Sequence, residues 1–312
     1  TIISACEPRG HWAKAERLLN DMRIHCLEPG LNCFNAAISA CKTGGHWQKA
    51  LALFQMVPKP DEITYSATIG ACGSRKQWRR ALTLLQDMQA ARNAPELISF
   101  TAAMEACGKA GEWERAISLL KKLRQAGVTP DVVCFCTAIS ACKEPGQWQE
   151  AMSLLREMRS LSTTPNLITI NAAISTYAFG KQWQLSVSLL HGLRDEALTP
   201  NLSSFNSAIS ACEKGGQWKQ AVSLIEKMQI AGVTPDVVSL KTGVLVCERR
   251  GEYKEALRLV DEVRARFGVL ETADAPHRIQ KNARSKVQYL PSSGAGRDRT
   301  LQHGVSLRTS SG

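Results

Sequence analysis

Seven tryptophans stand at Trp12, Trp47, Trp78, Trp113, Trp148, Trp183 and Trp218, each 35 residues from the next except across Trp47 to Trp78, where the step is 31. The same ruler carries seven of the twelve prolines, Pro29, Pro60, Pro95, Pro130, Pro165, Pro200 and Pro235. It also carries seven of the eleven cysteines, Cys6, Cys41, Cys72, Cys107, Cys142, Cys212 and Cys247, and Tyr253 continues the tryptophan series. A period of this length, shared by three residue types, is the mark of an array in which each unit is one small structural piece stacked on its neighbours.

Within a unit the apolar spacing is helical. Phe34, Ala37, Ile38 and Cys41 fall at i, i+3, i+4 and i+7; Gly44 and Gly45 interrupt; Trp47, Ala50, Leu51 and Phe54 then repeat the spacing. Phe205 to Cys212 and Trp218 to Ile225 show the same arrangement. Between units runs "GVTPD" or a relative of it, where Gly supports a helix C-cap and Pro prevents continuation as helix. Four residues are missing between Trp47 and Pro60, about one turn at 3.6 residues per turn, so a helix there is shortened while its buried face keeps register. One hairpin cannot bury its apolar stripe alone. The expected fold is therefore all-α, a right-handed α-solenoid superhelix of about eight helix-turn-helix repeats with a long concave surface. The recurrent Trp reads as packing at the start of each second helix, and the recurrent Cys as a small buried hydrophobe in a reducing compartment.

Charge adds a direction. Lys and Arg outnumber Asp and Glu by 39 to 28, a formal +11, which favours polyanionic partners without separating nucleic acid from a membrane surface. No apolar run approaches the length of a membrane span, so no membrane partner is expected. Thr1 falls inside a copy of the repeated motif, so the sequence reads as a fragment without its amino terminus and any targeting segment.

The 35-residue period, the "TPD" or "TPN" joint and the "F-N-x-A-I-S-A-C" opening resemble the pentatricopeptide repeat family, over residues 1 to about 270. The units fall at about 1–30, 31–61, 62–96, 97–131, 132–166, 167–201, 202–236 and 237–270, the first truncated and the last degenerate. Tetratricopeptide repeats have a period of 34 and a different placement of Trp, Gly and Tyr. The resemblance implies sequence-selective binding of single-stranded RNA in a plastid or mitochondrion, in transcript processing, stability, editing or translation, alongside RNA-processing proteins. An array with one equivalent site per unit suits an unpaired strand whose bases are splayed one at a time.

The ruler fixes polar residues that a core does not need. Six residues after each joint Pro stand Asn35, Ser66, Thr101, Cys136, Asn171, Asn206 and Lys241; directly after the following Pro stand Asp61, Glu96, Asp131, Asn166, Asn201 and Asp236. By the resemblance these form base-reading pairs. Asn35 with Asp61 and Asn206 with Asp236 look like uracil readers, Thr101 with Asp131 a guanine reader, and Asn171 with Asn201 a cytosine reader. Ser66 with Glu96 leans to purine, Cys136 with Asn166 is unassigned, and Lys241 lies outside the usual set. The alternative reading of each Asp or Asn after Pro is an N-cap, which does not exclude base reading. Ile63, Ile98, Val133, Ile168 and Val238 stand three residues before a pair's first member, where the family wedges a side chain between bases; the alternative is packing at the helix start. Lys42, Lys109, Lys143, Lys214 and Arg249 precede the inter-helix turn, where the family contacts phosphate; a cation there also complements the helix dipole.

No catalytic constellation stands outside the repeats. The six histidines are scattered, "CFC" at Cys134 to Cys136 has no matching Cys or His pair, and the His-x-Glu and Cys-x-x-Cys pattern of a deaminase is missing after residue 270. The chain is expected to be a P-type array without an editing domain: a binding module, not an enzyme, with no metal, cofactor or small-molecule substrate. Residues 271–312, with seven Lys or Arg against three Asp or Glu and much Ser, Gly and Thr, read as a basic disordered tail. A protein-binding scaffold is the other function class, since a superhelical groove can equally hold a peptide.

Overall fold

The computed structural model describes residues 2–8, 10–91 and 96–267. Residues 268–312, with the expected basic tail, and Pro95 lie outside them. Among the described residues there are fifteen α-helices and no strand. A 3-10 turn, Ile2–Cys6, leads into α1 (Trp12–Ile24). The first helices of successive units are α2 (Leu31–Gly44), α4 (Glu62–Gly73), α6 (Leu97–Lys109), α8 (Val132–Ala141), α10 (Leu167–Phe179), α12 (Leu202–Lys214) and α14 (Val237–Arg250). The second helices are α3 (Trp47–Gln55), α5 (Trp78–Ala90), α7 (Trp113–Gln125), α9 (Trp148–Ser160), α11 (Trp183–Gly192), α13 (Trp218–Ile230) and α15 (Tyr253–Phe267). Helix α3 has 9 residues where α5, α7, α9 and α13 have 13, so the shorter tryptophan interval removes one turn from one helix.

Every even-numbered helix packs on the next even-numbered helix, and each odd-numbered helix packs on the even helices flanking it. One row is thus in mutual contact while the other is carried on its back. Such a stack curves toward the touching row, which places α2, α4, α6, α8, α10, α12 and α14 along the inside of the curve. The architecture is an α-solenoid of helix-turn-helix repeats.

Small residues allow that close contact. Ala40, Ala71, Ala106, Ala141 and Ala211, which precede five of the seven repeated cysteines, are buried. A Cβ on Gly108 would lie 2.9 Å from the Cβ of Ala141, so α6 and α8 meet where neither has room for a larger group. The repeated Cys is buried in every described unit that carries it, and all eleven cysteines are free thiols. Burial raises the pKa of Cys41, Cys72, Cys107 and Cys247 to about 11, and of Cys142 and Cys212 to about 12, as for a thiol used as core.

The tryptophans are half-buried and sit between units. A Cβ on Gly180 would fall 2.7 Å from Cδ1 of Trp148, and one on Gly215 equally close to Cδ1 of Trp183, so each indole lies against the turn glycine of the following hairpin. Two other indoles take a cation from the next second helix: Arg80 over Trp47 and Arg115 over Trp78, both 4.4 Å from the ring centroid. Turn glycines Gly45, Gly111, Gly146, Gly216 and Gly251 adopt positive φ, and Lys76 and Lys181 hold the same conformation without being glycine.

Candidate nucleic-acid interface

After five of the joint prolines the next residue begins a helix of the inner row in extended backbone, and its side chain turns back on that helix. Asp61 accepts from the Thr64 backbone N–H at 2.8 Å, Asp131 from Cys134 at 2.9 Å, and Asn166 from Thr169 at 2.9 Å. Asn201 accepts from Ser204 at 3.0 Å and Asp236 from Ser239 at 2.8 Å. These are N-caps, satisfying an amide that the helix itself leaves free. Glu96 makes no such side-chain cap.

Capping leaves the side chains free to meet a second partner. Three of the six pairs are joined by hydrogen bonds across adjacent inner helices. Asn35 Nδ2 donates to Asp61 Oδ1 at 3.3 Å, Asn171 Nδ2 to Asn201 Oδ1 at 3.3 Å, and Asn206 Nδ2 to Asp236 Oδ1 and Oδ2 at 3.2 and 3.3 Å. Burial works against ionisation of Asp61 and Asp236. The donors around them, Thr64 with Asn35 and Ser239 with Asn206, outweigh it and hold both carboxyls below the ordinary carboxylate pKa. Each is an anion whose acceptor sites are shared between cap and pair.

The other pairs are not joined in this way. Ser66 donates to the Ile63 carbonyl of its own helix at 3.1 Å. Glu96 instead faces Glu62, whose pKa is raised by burial, by the Glu96 charge and hydrogen bond, and by Asp61. Thr101 donates to the Leu97 carbonyl at 2.6 Å and touches Cys134 Sγ at 3.3 Å, so Cys134, not Asp131, is its cross-helix neighbour. Cys136 is half-buried beside an exposed Asn166, and Lys241 is exposed. Asn35 departs from the rest in burial. It is only 8% exposed, because the Thr64 hydroxyl lies 2.7 Å from its Oδ1 and closes over it, so Asp61 is the accessible member of that pair. The expectation that a core would not use the ruler-fixed polar residues fails at Asn35. Asn171 Oδ1 and Asn206 Oδ1 are buried without a hydrogen-bond partner, each amide having turned its nitrogen to its pair.

The aliphatic series is open to solvent. Ile63, Ile98, Val133, Ile168 and Val238 are 62%, 65%, 56%, 68% and 60% exposed, so helix-start packing is not what they do. Each protrudes at the second position of an inner helix, one beside every polar pair except where Asn32 and Ser203 stand in their place. A regular line of exposed aliphatics costs hydration free energy that no contact within the chain returns.

The cations divide. Lys109 Nζ is held by Glu105 at 2.7 Å, and Arg249 is held by Glu213. Lys42 lies across Gly70, whose added Cβ would meet its Cε at 2.8 Å. Lys143 and Lys214 both approach the ring of Phe179, a residue that the repeat pattern did not single out, with Nζ 5.5 and 3.6 Å from the centroid. The signal was present in "ISTYAFGKQW", the only complete motif copy in which Tyr177 replaces the Cys and an aromatic follows two residues later. Among the described residues no three His, Cys, Asp or Glu side chains gather as a metal site, and no helix is long and apolar enough to cross a membrane.

Comparison with family profiles decides the kinship. The profile described as "Pentatricopeptide repeat domain" matches residues 58–110, 118–182 and 153–215, and that described as "PPR repeat" matches residues 1–26, 33–59, 98–128 and 203–233. The chain belongs to the pentatricopeptide repeat family. Comparison with curated proteins gives no match. Among solved structures this pentatricopeptide repeat chain is similar to the pentatricopeptide repeat protein PPR10 from maize, with 22% identity and a TM-score of 0.66 over 95% of this chain and 44% of that one. It is also similar to PPR10 in complex with an 18-nt psaJ RNA element, with 20% identity and a TM-score of 0.73 over 88% and 42%. The pentatricopeptide repeat domain of Arabidopsis thaliana protein-only RNase P 1, solved with tRNA, matches at 15% identity and a TM-score of 0.51, over 58% of this chain and 95% of that domain. At these identities the likeness is one of fold, and the chain spans less than half the length of PPR10.

Proposed function

We propose that the inner row binds single-stranded RNA with sequence selectivity, one base to each unit, and acts as a binding module, not as a catalyst. The observation that carries this is the alternation along that row of an exposed aliphatic side chain with a polar pair, as in Ile168 beside Asn171 and Asn201, and Val238 beside Asp236. An unpaired base has an apolar face and a hydrogen-bonding edge at right angles to it, and the row offers a partner for each. A peptide would match the aliphatics but has no reason to meet an Asn or Asp pair at a fixed interval. The formal +11 supplies the general attraction to phosphate. PPR10, a relative in fold, is known in complex with RNA, and tRNA accompanies the RNase P domain. The order U, purine, G, any base, C, U, read in parallel with the chain, belongs to this proposal, as does a role in plastid or mitochondrial transcript processing.

Fluorescence anisotropy with a randomised single-stranded RNA, the same pool annealed to duplex, and a random peptide pool tests it. The proposal predicts salt-dependent binding of the single strand and enrichment of particular sequences on selection. Equal affinity for single strand and duplex, or no enrichment, contradicts it.

A further inference from the structure

We infer that Phe179 is a stacking platform for one unpaired RNA base, replacing the aliphatic side chain that the ladder lacks at Ser203, with Lys143 and Lys214 as phosphate partners beside it. The inference rests on the RNA-binding reading above and adds to it a residue and a place in the register.

Four observations meet at this point. The ladder of exposed aliphatics is broken in the seventh unit, where Ser203 occupies the position of Ile168 and Val238. Phe179, at the end of α10, is 44% exposed, an aromatic ring left open to solvent on the inner row. A cavity of about 400 Å³, within the size range of sites for small flat ligands, is lined jointly by Lys143, Phe179, Ser203, Asn206 and Ser207. The ring, the gap in the ladder and one member of a polar pair therefore share one hollow. Ser175 and Ser207 hydroxyls lie 2.9 Å apart in its wall and supply further edge partners.

The fourth observation is electrostatic. Two ammonium groups converge on one ring, Lys214 at 3.6 Å and Lys143 at 5.5 Å, and neither is in an ion pair among the described residues. The equivalent groups Lys109 and Arg249 are held by glutamates of their own surface. Burial lowers the pKa of Lys214, Glu213 opposes the shift, and the charge of Lys143 adds to it, so the site holds two cations that repel. A phosphate relieves that repulsion. A base that stacks on the ring displaces an ammonium from its face and brings the phosphate that receives it, so cation–π contact in the free chain gives way to stacking and ion pairing in the complex.

The test begins by selecting RNA from a random single-stranded pool with the full chain. The enriched oligonucleotide is then bound, intact and with a single abasic site at each position in turn, by the wild type, Phe179→Ala and Phe179→Trp. Stacking of one base predicts that Phe179→Ala loses about fivefold to a hundredfold in affinity while Phe179→Trp retains it. It also predicts that one abasic position weakens the wild type and leaves Phe179→Ala unchanged, while other abasic positions weaken both. Affinity of Phe179→Ala within about twofold of wild type, or a loss that no abasic site abolishes, overturns the platform while leaving RNA binding intact. If the wild type enriches no sequence, the RNA reading fails and this inference with it. Melting curves of the variants separate any folding defect, and the comparison of abasic positions within one variant is independent of it.

Discussion

Asn206 on α12 and Asp236 at the start of α14 are joined through one carboxylate: the amide nitrogen of Asn206 lies 3.2 and 3.3 Å from its two oxygens, while the Ser239 backbone N–H caps onto the same group at 2.8 Å. Cap and pair are thus separable by substitution. Asp236→Ala removes both and should lower stability by about 1 kcal/mol as well as weakening RNA binding. Asp236→Asn keeps a capping oxygen, so its melting temperature should stay close to wild type while base preference at one position changes. Thermal melting beside anisotropy distinguishes the two.

Acid should loosen the inner row. Asp61 and Asp236 both have folded pKa values below their ordinary 3.8, so the folded chain binds fewer protons than the unfolded chain as the pH falls through this range. The stabilisation they provide is complete above the ordinary value and is lost as the pH drops through the lowered one. Melting temperature measured from neutral pH down to about pH 3 should fall more steeply for the wild type than for an Asp61→Asn, Asp236→Asn double variant.

Two inter-helix turns carry strain that their neighbours avoid. Lys76 at φ 61° and Lys181 at φ 59° adopt the left-handed conformation that Gly45, Gly146 and Gly251 take at the same place in their units. Relief of the Cβ contact exceeds the entropy that a glycine adds to the unfolded chain, so Lys181→Gly should stabilise by about 0.5–1 kcal/mol. Chemical denaturation at constant slope measures it.

Thiol labelling should report the solenoid directly. Cys26 is exposed, whereas the repeated cysteines are buried, with pKa values raised to about 11 for Cys72 and about 12 for Cys212. Iodoacetamide near neutral pH followed by mass spectrometry should modify Cys26 first, and the repeated cysteines only with the rate of unfolding.

Cations that look equivalent along the sequence should differ in effect. Lys143→Gln should reduce the slope of log affinity against log salt by about one, since its ammonium has no carboxylate partner among the described residues. Lys109→Gln should change it less, because Glu105 already holds that group at 2.7 Å.

The sequence made the architecture legible because periodicity states the same instruction many times. Phe34, Ala37, Ile38 and Cys41 each mark a buried face, and their counterparts five units later, Phe205, Ala208, Ile209 and Cys212, repeat it, so local noise cancels. Even the missing turn in α3 could be placed, since four residues restore helical phase. The pairs were legible as positions, and three of them meet as hydrogen-bonded partners. What spacing could not convey was the behaviour of individual side chains. Thr101 finds the Leu97 carbonyl and Cys134, Ser66 bonds back to its own helix, and Thr64 covers Asn35, because short hydroxyl side chains compete for nearby backbone and neighbouring amides. Phe179 escaped notice for a related reason: periodic reading rewards what recurs, and this ring matters as a departure.

The central claim is that the polar pairs read bases one by one. Exchanging one pair for another tests it most directly: Asn171→Thr with Asn201→Asp gives the sixth unit the residues of Thr101 and Asp131. Selection from a random RNA pool by the wild type and the double variant should yield two sequences that differ at one position, cytosine giving way to guanine, with the rest unchanged. Identical selected sequences, or a loss of preference spread over all positions, would contradict the account.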